Sequence, residues 1–316
     1  MKYVPVKLSP TFKDYIWGGD KLKKQFGKSC DLDRVAESWE LSAHKDGQST
    51  VAEGAYKGYS LTAYLDALGK DALGTNCLAY EYFPLLIKLI DARGNLSVQV
   101  HPSDAYALEH EREYGKTEMW YVLDCDEDAF LYYGFSRAVT REEFAAAIRE
   151  GTLTDLLHRV KVKPGDVFFI PAGTVHAIGA GILICEIQQN SNTTYRVYDY
   201  GRLDKDGNPR PLHVEKALEV SCTQPSPALS DIPDGTDVTL ATCEYFHVRR
   251  LRVADAYDLP VTTDSFVSLM ITDGEGVLCY EGGELAFTKG DSLFIPAQNA
   301  TVTVKGVCEV ILSTVN

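Results

Sequence analysis

One short pattern occurs twice in this chain and restricts the fold more than any other feature. Lys163-Pro164-Gly165-Asp166-Val167-Phe168-Phe169-Ile170-Pro171-Ala172 returns as Thr288-Lys289-Gly290-Asp291-Ser292-Leu293-Phe294-Ile295-Pro296-Ala297. Each copy reads as a Gly-Asp turn, a buried strand, and a proline that stops the hydrogen-bond ladder. Its position late in each of two β-rich halves predicts an internal duplication. Short β-type runs dominate elsewhere: Asp166 to Pro171, Gly181 to Gln189, Phe266 to Thr272, Ser292 to Pro296 and Val307 to Ser313. Gly, Pro, Asp and Asn separate them, as in a sandwich or barrel.

Helical signals are fewer. Leu61 to Leu68 carries apolar residues at helical spacing behind a Ser60 N-cap. Thr140-Arg141-Glu142-Glu143 opens a helix through Glu150 that Gly151 ends. Thr154 to Leu157 and His213 to Val220 read as two more short helices, and the Pro/Ser/Asp-rich stretch from Thr223 to Asp237 as a linker. The predicted fold is mainly β, two barrels with short helical excursions, divided into 1–235 and 236–316.

The net charge is −14, from 45 acids against 31 bases. That argues against a nucleic-acid or anionic-membrane partner, which demands a positive surface. An anionic substrate would need a local cluster of Lys and Arg. No run reaches the roughly 18 apolar residues of a membrane span, and the N-terminus lacks a signal-peptide core. The 8 cysteines form no CxxC pair. Together these predict a cytoplasmic protein with reduced thiols.

The chemistry concentrates around Ser97-Val98-Gln99-Val100-His101-Pro102. In a strand, Ser97, Gln99 and His101 share one face. Polar side chains turned into an apolar neighbourhood must be satisfied, and a metal ion does so. Glu118, two residues after Lys116, and His176, which follows the repeated motif, complete a set of two imidazoles, a carboxylate and an amide oxygen. Such a set suits a divalent cation. Glu186 lies in the apolar run Leu183 to Ile187, where a carboxylate needs a partner or its pKa rises toward that of a proton shuttle. Lys88, alone inside Pro84 to Ile90, is equally hard to explain by packing. His158 and His247 read as ordinary histidines, and Trp17 and Trp39 as core.

The repeat resembles a motif of the cupin superfamily, a small jelly-roll barrel. Under that alignment Thr301 stands where His176 does, so the second half keeps the scaffold without the ligand. Ser97 to Pro102, Gly115 to Glu118, Pro171 to Ala177 and Asn192 to Arg196, with Tyr15 to Gly19 and Glu37 to Glu40, together resemble type I mannose-6-phosphate isomerases in their shorter bacterial form. The resemblance implies one zinc ion on Gln99, His101, Glu118 and His176. It implies proton transfer and charge stabilisation by Lys116, Glu186 and Arg196, with the base left open between Glu186 and Lys116. It further implies a phosphate grip by Lys88, Ser97 and Arg202, the last standing where some members carry Lys. The implied reaction interconverts mannose 6-phosphate and fructose 6-phosphate through a cis-enediol(ate). An isomerase of another sugar phosphate, and a sugar-phosphate-binding protein without catalysis, are the alternatives. The sequence carries no sign of oligomeric state.

Overall fold

A computed structural model describes every residue except 1, 204, 205, 227, 228 and 230. Three sheets account for most of the molecule. A six-stranded sheet runs in the order Val167–Ile170, Glu118–Cys125, Ile182–Gln189, Leu85–Ala92, Glu37–Leu41, Thr11–Lys13. A five-stranded sheet runs in the order Leu157–Lys161, Phe130–Phe135, His176–Ile178, Val98–Val100, Tyr195–Tyr198. Their facing side chains, among them Trp120, Ile182, Ile184, Leu131 and Tyr133, form one core.

The six-stranded sheet is buried on both faces, which is why Leu85–Ala92 and Ile182–Gln189 read as nearly continuous apolar runs. Alternation sorts the side chains. Leu85, Ile87, Leu89, Met119, Tyr121, Cys185 and Ile187 point outward into a second core shared with Leu8, Phe266, Met270, Phe294 and Ile311. Lys88, Trp120, Ile184 and Glu186, at the alternate positions, therefore point between the two sheets.

A nine-stranded sheet contains the strands of the C-terminal half. Its third core, from Leu251 through Leu312, is drawn entirely from its own strands, so the sheet folds over upon itself. Two N-terminal strands join it: Val6–Ser9 pairs with Ser292–Ile295 and with Thr50–Val51.

The repeated pattern folds twice in the same way. Lys163 N donates to Asp166 Oδ2 at 2.9 Å, and Thr288 N donates to Asp291 Oδ2 at 2.8 Å. Gly165 and Gly290 take φ of 91° and 94°, left-handed values that open the turn for glycine. Strands Val167–Ile170 and Ser292–Ile295 follow.

Helix Leu61–Leu68 forms as expected, with Ser60 Oγ accepting from Ala63 N. Helix Arg141–Glu150 is capped by Thr140 Oγ1, but the reciprocal half of its capping box is missing because Glu143 pairs with Arg137. His213 caps Val214–Val220 without a side-chain bond. The expected helix at Thr154 to Leu157 is a single 3-10 turn over Leu153–Asp155, and Leu157 already belongs to a strand. Pairing of Leu157 with Phe135 overrides the local helical signal. Helices Lys21–Phe26 and Asp104–His110 were not anticipated. Part of the expected linker, residues 227, 228 and 230, lies outside the described residues. Before it Pro225 bridges to Phe135, and Asp237 opens the strand Asp237–Thr242.

Candidate active site

His176 and Gln99 are cross-strand partners in the five-stranded sheet, and Glu118 opens its strand in the facing sheet. Both imidazoles are buried. His101 Nδ1 lies 2.9 Å from the Thr193 carbonyl oxygen and His176 Nδ1 2.9 Å from that of Thr174. A ring nitrogen that faces a carbonyl carries the proton, so both Nε2 atoms present lone pairs. Those lone pairs meet Glu118: His176 Nε2 is 3.3 Å from Oε1 and His101 Nε2 is 3.8 Å from Oε2.

Burial, helped for His101 by the nearby Lys116 charge, holds its pKa well below the usual range; burial brings His176 down to about 4. Both rings are therefore neutral. Three acceptors converge within 4.8 Å, and Glu118 Oε1 has no hydrogen-bond donor. Buried acceptors aimed at one another fit a divalent cation. The Gln99 amide nitrogen stands 3.4 Å from His176 Nε2. Turning the amide over, which leaves its shape unchanged, presents the oxygen as a fourth ligand. Among the described residues this is the one group of its kind.

Beside the cluster runs a chain of alternating charge. Lys116 Nζ is 2.8 Å from Glu118 Oε2, 3.3 Å from His101 Nε2 and 3.8 Å from Glu186 Oε1. Lys88 Nζ is 3.4 Å from Glu186 Oε1 and 3.6 Å from Glu37 Oε2. Two indoles fix the carboxylates: Trp120 Nε1 donates to Glu186 Oε2 at 3.0 Å and Trp39 Nε1 to Glu37 Oε2 at 2.6 Å. Burial opposes charge on Glu186, but Lys116, Lys88 and the Trp120 N–H outweigh it and hold the carboxyl below its ordinary value. Burial wins at Glu118, whose carboxyl is pushed up. The raised pKa expected of an unpartnered Glu186 thus belongs to Glu118, because Glu186 has two cations and an N–H.

A cavity of about 290 Å³ opens over this chain. Lys88, Ser97, Gln99, Lys116, Glu186 and Arg196 all line it, although they come from widely separated segments. Arg196 Nε donates to Ser97 Oγ at 3.1 Å. Arg202 does not line it. Its guanidinium is taken up by Asp199, with Nη2 2.5 Å from Oδ1, and by the Asn95 carbonyl. Arg210 stands at the wall instead, held by the same carboxylate through Nε at 2.8 Å and Nη2 at 2.6 Å. Trp39 is fully buried, as expected of core, whereas Trp17 also lines the cavity.

Residues 6–124 match the sequence model of the phosphomannose isomerase type I catalytic domain, and residues 236–315 that of the mannose-6-phosphate isomerase cupin domain. Mannose-6-phosphate isomerase ManA of Bacillus subtilis is 42% identical over 315 residues, covering 98% of each chain. This chain belongs to the type I phosphomannose isomerase family. The mannose-6-phosphate isomerase of Streptococcus mutans is 38% identical over 98% of each chain. A crystal structure of mannose 6-phosphate isomerase from Bacillus subtilis superposes with a TM-score of 0.91 at 39% identity, covering 98% of this chain and 99% of that one. The two-cupin jelly-roll architecture follows from this membership.

Within the phosphomannose isomerase framework, sequence reasoning missed Arg210, Glu37, Tyr15 and His213 at the cavity wall. Glu37 had a signal: it sits in the quoted Glu37-Ser38-Trp39-Glu40 run. Arg210 had none, being one of several basic residues in an irregular stretch.

Proposed function

We propose that this protein interconverts mannose 6-phosphate and fructose 6-phosphate as a zinc-dependent aldose–ketose isomerase. The observation that carries the reading is the convergence of the His101, His176 and Glu118 acceptors beneath a cavity lined by cations. Zinc bound by Gln99, His101, Glu118 and His176 would supply a Lewis acid for the sugar oxygens that become charged. A proton moves between C1 and C2 through a cis-enediol(ate). Glu186, ionised and held in place by Trp120, suits the base; Lys116, 3.8 Å away, suits the group that exchanges protons with the oxygens. Arg196 reaches the same cavity and would stabilise the developing negative charge.

Ser97 and Arg210, both at the cavity wall, are the groups best disposed for the phosphate. Lys88 adds charge from below while bound to Glu186, and Arg202 acts through Asp199, which it shares with Arg210. These cations answer the problem set by a net charge of −14. We read 1–235 as the catalytic part and 236–316 as a scaffold without ligands, working in the cytoplasm where sugar phosphates are found. The deciding experiment pairs metal analysis of purified protein with a coupled isomerase assay on a panel of aldose 6-phosphates. Zinc in equimolar amount with activity confined to mannose 6-phosphate supports the reading. Metal-free protein with full activity would end it, and turnover of a different aldose phosphate would reassign the substrate.

A further inference from the structure

On its Nδ1 side His101 is oriented by one bond, to the carbonyl of Thr193, and that carbonyl lies in an irregular segment, residues 190–194, with no strand ladder to fix it. Asn190 is anchored to the Phe83 and Pro84 carbonyls and the Ser191 carbonyl accepts from Gln188 Nε2, but at Asn192 and Thr193 the segment is gripped by a carboxylate from another loop. Glu113 Oε2 accepts from Thr193 Oγ1 at 3.2 Å and from Asn192 N at 3.3 Å. Its other oxygen takes the Lys45 ammonium and lies 3.8 Å from Nε2 of the buried His44. The turn that carries Lys45 closes the circle, since Asn192 Nδ2 donates to Asp46 Oδ2 at 2.9 Å. Asp46 N in turn donates to His44 Nδ1 at 3.1 Å, which leaves the imidazole N–H on Nε2, the side that faces Glu113.

We propose that Glu113 is a positioning residue for the metal centre: it clamps Thr193 so that the carbonyl holds His101 with Nε2 aimed at Glu118. The inference rests on the reading of His101 as a metal ligand. The chemistry is that of an outer partner one step further out than usual. A carbonyl on the far nitrogen of a ligating histidine fixes both its tautomer and its ring angle, and loss of such partners weakens metal binding by about 10–100-fold. Two bonds place the residue that bears this carbonyl: Thr193 N donates to Ser191 Oγ at 3.2 Å within the segment, and Thr193 Oγ1 donates to Glu113, the tie to the rest of the fold. His176 needs no such device, because the Thr174 carbonyl sits in a tight turn closed by Thr174 N to Pro171 O at 3.1 Å.

The test measures zinc affinity by competition with a chromophoric chelator, and the visible spectrum of the cobalt-substituted protein, for wild type, Glu113→Ala, Glu113→Gln and Thr193→Val. Glu113→Ala should bind zinc about tenfold or more weakly and show an altered cobalt spectrum. Glu113→Gln keeps an acceptor oxygen for Asn192 and Thr193 while losing the Lys45 ion pair, and should stay within about threefold of wild type. Should the alanine variant fail to fold, Thr193→Val removes only the hydroxyl bond and should weaken zinc by several-fold. Wild-type affinity and spectrum in a folded Glu113→Ala, or in Thr193→Val if the alanine variant is unfolded, would overturn the proposal. So would equal weakening in the Gln and Ala variants. Wild-type protein that takes up no zinc or cobalt would instead refute the metal site itself, a separate outcome.

Discussion

Lys88 and Glu186 are directly opposed on neighbouring antiparallel strands, and their charged ends meet at 3.4 Å with both side chains buried. Neither charge would persist there alone. Lys88 is kept charged because Glu37 and Glu186 outweigh the burial that would neutralise it. Replacing Lys88 by Met leaves two buried carboxylates under-compensated and should cost about 3–5 kcal/mol in thermal or urea unfolding. In the same variant the acid limb of the pH–rate profile should move to higher pH, since Glu186 loses one of the cations that depress its pKa. An unshifted limb would assign that limb to another group.

Glu186→Gln separates chemistry from support. The amide oxygen can still accept from Trp120, so fold and metal content should persist while kcat falls by about 100-fold or more. Equal turnover would return Glu186 to a structural role and leave Lys116 as the base.

Removing the metal should abolish activity and lower the melting temperature, because a ligand that binds only the native state stabilises it by mass action. Zinc should restore both in wild type and neither in His176→Ala. A chelated protein that keeps full activity would contradict the role given to the cluster.

The phosphate grip can be read in KM. Arg210→Ala removes a cation from the cavity wall and should raise KM for mannose 6-phosphate by about 10- to 100-fold, with metal content unchanged. Arg202→Ala, whose guanidinium is bound to Asp199 and Asn95, should raise it less. The reverse order would place the phosphate nearer Arg202.

Acid stability offers an independent check. The neighbouring His44, together with Lys45 and the Asn192 N–H, holds the Glu113 carboxyl at about 2, below its ordinary 4.5. A folded-state pKa below the unfolded one means the contribution is complete above about 4.5 and lost as pH falls toward 2. In metal-free protein the stability gap between wild type and Glu113→Gln, about 1–2 kcal/mol after solvent screening, should therefore close over that window. A gap that stays constant with pH would mean that the carboxylate's charge contributes nothing.

Much of the site was legible because it obeys strand periodicity. Gln99 and His101 share a face two residues apart, Lys116 and Glu118 do likewise, and Lys88 and Glu186 interrupt apolar runs that packing alone would fill with hydrocarbon. The Gly165-Asp166 and Gly290-Asp291 turns were legible because a left-handed glycine followed by a side-chain acceptor is a local device. Arg210, His44 and Glu113 were not, because no strand or helix period links them to the residues they serve. Arg202 departs from the expectation in place rather than in charge: it shares Asp199 with Arg210, but only Arg210 lines the cavity.

The six-stranded sheet has one further consequence. Its outer face is covered in part by residues of the C-terminal half, among them Phe246, Phe266, Met270, Phe294 and Ile311, and Val6–Ser9 is threaded into that half's sheet. Severing the chain near residue 235 would uncover Leu85, Ile87, Leu89, Cys185 and Ile187, the reverse side of the very strands that present Lys88 and Glu186. The C-terminal half is thus a backstop for the strands that carry the candidate site, and its loss would be felt first as loosened geometry in a cavity that none of its described residues lines.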